Sequence, residues 1–108
     1  MEKFGDGNDV LVARLAALAH PARLDILHHL ASVERSCCKD VVGKLDLAQS
    51  TVSQHLKVLV EAGLLKLTQD RQRSLYCVDR DALAQLGGAV GNLVDRCCTP
   101  PCCGDGEE

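Results

Sequence analysis

The sequence predicts a mainly α-helical domain with one small β-hairpin, and three observations predict it. Apolar residues recur at helical spacing in short blocks, as in Val52, Leu56, Leu59 and Val60. One stretch alternates instead. Leu65-Lys66-Leu67-Thr68 and Ser74-Leu75-Tyr76-Cys77-Val78 flank the charged run Gln69-Asp70-Arg71-Gln72-Arg73, which reads as two strands around a turn. Helix punctuation stands where the blocks begin and end, at Pro21, Gly63 and Pro100-Pro101.

In chain order, residues 1–8 hold three charges, two Gly and an Asn and read as a flexible arm. A first helix starts at Asp9, with Leu11, Leu15 and Leu18 on one face. A second starts at His20-Pro21, where proline is pre-organised for a first helical position, and runs to Ala31. Ile26 and Leu30 stand four apart along it. A short third helix spans Cys37 to Leu45, with Ser36 as its cap. Asp46 marks a tight turn, because Asp tolerates a left-handed backbone. The fourth helix spans Gln49 to Ala62, and Gly63 sits where a C-cap glycine belongs. After the hairpin, a fifth helix runs from Asp81 to Arg96. Its Leu83, Leu86, Val90, Leu93, Val94 and Cys97 repeat with a near-heptad period suited to helix association. Gly87, Gly88 and Gly91 interrupt it and suggest close approach of another backbone. The expected organisation is an arm at 1–8, one folded domain at 9–96 and a cysteine-rich tail at 97–108.

At 108 residues the chain is one domain. A monomer this small buries only about 60–70% of its unfolded surface, so dimerisation would help it. Hydrophobic content is 46%, yet Phe4 and Tyr76 are the aromatic residues, which excludes binders that stack bases on aromatic platforms. The net charge of −3 hides an uneven distribution. Residues 49–80 carry 5 basic and 3 acidic groups, whereas residues 81–108 carry 1 and 5. A locally basic middle can face phosphates despite the acidic total.

Two helices joined by a tight turn and followed by a basic hairpin make a winged helix-turn-helix. The second helix of that motif enters the major groove with its early residues toward base edges. Here these are Gln49, Ser50, Thr51, Ser53 and Gln54. His55 and Lys57 are placed for phosphates, and Arg71 and Arg73 at the hairpin tip for the backbone or minor groove. The expected partner is double-stranded operator DNA. His20, His28 and His29 read as surface or structural residues.

Seven cysteines stand out, six of them in the adjacent pairs Cys37-Cys38, Cys97-Cys98 and Cys102-Cys103. Bridging sequence neighbours strains a disulfide, and an odd count fits free or ligating thiols better than a disulfide framework. No apolar run approaches the roughly 18–20 residues of a membrane span, and no signal peptide is visible. The expected location is cytoplasmic, where thiols stay reduced, with no membrane partner. The crowded thiols therefore suggest a thiophilic ion or an oxidant. No motif pairs a base with a cysteine nucleophile, so an enzyme is not expected. Cys77, alternating with Tyr76 on a strand, reads as a small core residue.

The segments His20-Pro21-Ala22-Arg23-Leu24-Asp25-Ile26-Leu27, Gln49-Ser50-Thr51-Val52-Ser53-Gln54-His55-Leu56-Lys57-Val58-Leu59 and Ala62-Gly63-Leu64 resemble the ArsR/SmtB transcriptional repressors, over about residues 9–95. The resemblance implies a homodimeric winged-helix repressor with first and fifth helices at the dimer interface. It also implies that a bound metal ion or metalloid weakens operator binding. His20 stands where the family often has Asp, and Ala48 where it often has a Ser cap.

The resemblance implies several kinds of sensing site. One pairs Asp and His across the two fifth helices. Asp81 and Asp95 are present here, but that helix has no histidine, which disfavours zinc, cobalt or nickel. Another uses a Cys-X-Cys at the third helix, which Cys37 matches only partly because Lys39 takes the second position. Cys37 and Cys38 are thus the weaker candidates; Cys37 inert and Cys38 buried is the other reading of that pair. A third type uses a cysteine pair at the end of the fifth helix with another just beyond it. Cys97, Cys98 and Cys102, with Cys103 as a substitute, fit trivalent arsenic or antimony, which favour three thiolates. No organic cofactor is expected. A redox or persulfide sensor, and a cadmium, lead or mercury sensor, are the alternatives on the same fold.

Overall fold

The structure, a computed structural model, describes residues 6–99, with side chains from residue 8. Its elements are α1 (Asp6–Leu18), α2 (Pro21–Ala31), β1 (Ser36–Cys37), α3 (Cys38–Lys44), α4 (Gln49–Glu61), β2 (Leu65–Asp70), β3 (Arg73–Val78) and α5 (Arg80–Cys98). Three antiparallel strands lie in the order β1-β3-β2.

Local chemistry explains most boundaries. Pro21 opens α2, and Nδ1 of His20 accepts the Ala22 N–H at 3.1 Å as its cap. Asp79 caps α5 by accepting the Ala82 N–H at 3.1 Å. Helix α4 ends in a Schellman motif: Leu64 N–H donates to Leu59 C=O at 3.0 Å and Gly63 N–H to Val60 C=O at 2.9 Å. That motif needs a left-handed residue, and Gly63 has φ +84°. Asp46, between α3 and α4, is also left-handed at φ +36°. The cap of α4 is Ala48, which offers no side-chain acceptor.

The core is aliphatic. Ile26 and Leu30 from α2, Val41 from α3, Val52, Leu56 and Leu59 from α4, and Leu64 are fully buried. Ala17, Leu65 and Leu86 complete the cluster. Truncating one of its large members to Ala costs about 2–5 kcal/mol. The core thus clamps α4 along one side and frees the other for contact.

Several features differ from the sequence reading. Helix α1 begins at Asp6 rather than Asp9, and α5 continues through Cys98 rather than ending at Arg96. Ser36 does not cap α3. Pairing of Ser36 with Tyr76 and of Cys37 with Leu75 draws both residues into a third strand. Cys37 takes the cap position, with no side-chain bond. The hairpin is longer than expected, paired from Leu65↔Val78 to Asp70↔Arg73, which leaves Arg71-Gln72 as the turn. Val60 is half-buried, and Cys77 is half-buried rather than core. The stripe of α5 leaves its own core: Leu86 is buried and Leu83 and Val90 are half-buried, but Leu93, Val94 and Cys97 are exposed.

Candidate nucleic-acid interface and thiol sites

Helix α4 presents two chemically distinct sides. Val52, Leu56 and Leu59 face the core, so polar residues off that stripe face outward. Gln49, Ser50, Ser53, Gln54 and Lys57 are exposed and Thr51 is half-buried. Ser53, Gln54, Lys57, Val60 and Glu61 also form one wall of a cleft of about 390 Å³, whose other wall is Leu67 and Tyr76 of the hairpin. Arg71 and Arg73 are exposed at the tip. A bond from Gln69 Nε2 to Ser74 Oγ at 3.0 Å braces the two strands behind them. Donors and acceptors on one helix, flanked by a cationic hairpin, suit the division between base reading and phosphate contact.

His55 does not belong to that surface. It is 8% exposed, and its Nδ1 accepts a bond from Arg23 Nε at 3.2 Å. Its ring lies 4.5 Å from that of His20, tilted by 56°. Burial, then the charges of His20 and Arg23, push its pKa below the usual histidine value. Position in the helix explains this placement, since His55 is three residues after Val52 and four before Leu59, on the core stripe. That same spacing was the available signal. The roles of His20 and Arg23 had no such signal, because only the packing of α2 on α4 brings them to His55.

The thiols fall into two settings. Cys97 and Cys98 are exposed in the last turn of α5. Thr99 closes that turn, its N–H and Oγ1 both donating to Asp95 C=O at 3.0 and 2.7 Å. Cys37 and Cys38 are half-buried where β1 meets α3. Burial, then the neighbouring Cys37, push the Cys38 pKa up, which keeps it a thiol. Tyr76 is likewise raised, by burial and then by Cys38. Among the described residues no three His, Cys, Asp or Glu side chains gather to hold a metal ion. Cys102 and Cys103 lie outside the described residues. Asp81 and Asp95 are exposed on α5.

The fold and its exposed reading helix define a winged helix-turn-helix DNA-binding protein. Comparison with known proteins narrows the class. A helix-turn-helix domain family matches residues 18–68. The biofilm growth-associated repressor of Agrobacterium fabrum is 40% identical over 72 residues, 67% of this chain and 61% of that protein. This chain therefore matches less than two thirds of that relative. The nodulation protein NolR of Rhizobium meliloti is 33% identical over 92 residues, 85% of this chain and 74% of that one. A solved structure of a possible transcriptional regulator for arsenical resistance is 30% identical, with a TM-score of 0.67 over 74% of this chain and 82% of that one. The homodimeric winged helix-turn-helix domain Mb0332 of Mycobacterium bovis, a possible ArsR-family regulator, has a TM-score of 0.68 at 23% identity, over 92% of this chain and 94% of that one. This chain belongs to the ArsR/SmtB family of winged-helix transcriptional regulators. Among the described residues no helix is long and apolar enough to cross a membrane.

Proposed function

We propose that the chain is a homodimeric repressor that binds operator DNA and releases it when trivalent arsenic or antimony is bound by Cys97, Cys98 and Cys102, with Cys103 as a substitute. The observation that carries this reading is the exposure of Cys97 and Cys98 on the last turn of α5. That helix packs beside α1, and both carry exposed apolar residues. Val10, Val12 and Leu15 of α1 are 47%, 63% and 41% exposed, and Leu93 and Val94 of α5 are 55% and 49% exposed. A second protomer packed there would shield them from water. Nothing lies within 4 Å of a Cβ added at Gly87, Gly88 or Gly91, so a facing helix meets little obstruction at those positions.

The DNA contacts follow from the reading surface. Gln49, Ser50, Thr51, Ser53 and Gln54 face base edges; Lys57, Arg71 and Arg73 face phosphates or the minor groove. His55 contributes from behind the helix. Neighbouring residues on a helix point about 100° apart, so Cys97 and Cys98 need a third thiolate from beyond Thr99 to close a trigonal site. Closing it would restrain the end of the interface helix. Any resulting shift of the two α4 helices would spoil their match to the half-site spacing. Binding replaces the hydroxides of neutral As(OH)3 or Sb(OH)3 by thiolates, each thiol proton leaving with a hydroxide as water.

The exposure of two adjacent thiols also favours a second reading, release by oxidation or persulfide chemistry at the same cysteines. A softer divalent ion such as cadmium, lead or mercury fits four thiolates as well. An operator-release assay against arsenite, antimonite, cadmium, lead, zinc and polysulfide separates these. Release by arsenite or antimonite, but not polysulfide, is expected. Release by polysulfide alone would replace the metalloid reading with the redox one.

A further inference from the structure

Behind its reading surface, α4 is held at one point by polar rather than apolar contacts. His55 Nδ1 accepts from Arg23 Nε at 3.2 Å, while Arg23 Nη1 donates to the carbonyls of Ala16 and Ala17 near the end of α1 at 3.5 and 3.4 Å. His20 stacks on His55 with ring centroids 4.5 Å apart, and its own Nδ1 accepts the Ala22 N–H at 3.1 Å. An imidazole that accepts at Nδ1 carries its proton on Nε2. By this hydrogen-bond assignment, each ring turns its unprotonated nitrogen toward an N–H donor.

We infer that His20 and Arg23 are positioning residues for operator recognition: through His55 they seat the reading helix, and protonation of His55 unseats it, so that operator affinity falls as the solution becomes acidic. This inference rests on the DNA-binding reading above. A proton added at Nδ1 of His55 would face the Arg23 N–H, turning an acceptor into a donor opposed to a donor. A charged imidazole would also stand beside the Arg23 guanidinium. From the elements packed on α4, the charges that bear on His55 are those of His20 and Arg23. The α1 residues that touch Arg23 do so through backbone carbonyls. Burial and these same charges already favour neutral His55.

The sign makes the inference testable. Protonating histidines elsewhere adds positive charge and strengthens DNA binding; the seating mechanism weakens it. Operator binding is measured by fluorescence anisotropy at fixed ionic strength from about pH 8 to about pH 5.5, the range in which imidazole changes charge. The natural chain should bind about tenfold more weakly at the acid end, the effect of one pKa unit between seated and unseated forms. His20→Asn keeps an acceptor that caps a helix but removes the ring stacked on His55, so its acid loss should be under about threefold. Arg23→Lys keeps the charge without the planar donor fork and should weaken binding throughout the range. Affinity that is flat or rises in acid overturns the inference, as does an unchanged profile in His20→Asn. Should either variant fail to fold, histidine-ring NMR of the natural chain decides. His55 must be the Nε2-protonated tautomer near neutral pH, with a lower titration midpoint when operator is bound; equal midpoints overturn the inference. Operator binding near pH 8 separates this failure from that of the DNA-binding reading, which would remove binding at every pH.

Discussion

The same dipeptide, Cys-Cys, occurs in two parts of this molecule with opposite consequences. Cys37-Cys38 bridges β1 and α3. There Cys37 pairs with Leu75, and Cys38 packs against the core cluster. Cys97-Cys98 ends α5, beside the exposed Leu93 and Val94. The first pair sits inside the DNA-binding half and is partly closed to solvent. The second is open on the surface suited to dimerisation. Thiol reactivity follows thiolate fraction and access, so tertiary position, not the local sequence, separates a packed pair from an open one.

The largest expected effect breaks that comparison if it fails. Replacing Cys97, Cys98, Cys102 and Cys103 with Ser should abolish arsenite-driven operator release, a coupling of about 5- to 150-fold in affinity. Cys37→Ser with Cys38→Ser should leave release intact. Anisotropy titrations with and without arsenite decide, and the reverse pattern would move the sensing site to β1 and α3.

Alkylation kinetics sharpen the contrast. With iodoacetamide near neutral pH, peptide mass spectrometry should find the exposed Cys97 and Cys98 labelled faster than Cys38, which is half-buried and held as a thiol by its raised pKa. The gap should narrow in alkali as Cys38 deprotonates. The raised Cys38 pKa also has a sign for stability. The unfolded chain loses this proton first, so the stabilisation is present below the ordinary thiol value and lost as pH rises through the elevated one. Melting temperature should drop in alkali, and Cys38→Ala should reduce that drop.

A smaller effect concerns packing. Cys38→Ser places a hydroxyl against the core cluster and should cost about 1–3 kcal/mol in urea unfolding. Cys98→Ser, at an exposed site, should stay within about 0.5 kcal/mol. Equal losses would show that the two pairs are not packed differently.

The smallest expected change lies at the hairpin tip. Arg71 has φ +63°, a region that costs a non-glycine residue about 1–2 kcal/mol. Arg71→Gly relieves that strain while loosening the unfolded chain. The net gain in stability should therefore be below about 1 kcal/mol. If Arg71 touches phosphate, operator binding should weaken and its log–log salt slope should fall by about 0.9. An unchanged slope would remove Arg71 from the interface.

Much of the scaffold was legible because its signals are local. Pro21 marks a helix start by its fixed φ, and Gly63 marks a helix end because the Schellman turn requires a left-handed residue. Alternation from Leu65 and from Ser74 identified the hairpin. The reading face of α4 followed from Val52, Leu56 and Leu59, whose burial leaves Gln49, Ser50, Ser53, Gln54 and Lys57 outside. Strand β1 was not legible, since two residues carry no period. Its pairing with Tyr76 and Leu75 depends on β3 arriving from far along the chain.

By itself, the sequence determined the order of helices and hairpin, the side of α4 free to meet DNA and the concentration of thiols at the chain's end. These depend on backbone propensity and short-range spacing, which residues carry with them. Tertiary structure alone decided that His55 turns inward onto Arg23 and His20, that Ser36 enters a sheet instead of capping a helix, and that one cysteine pair is packed while the other is open. Those outcomes depend on what distant segments place beside a residue, because burial and hydrogen-bond partners are properties of the neighbourhood rather than of the residue.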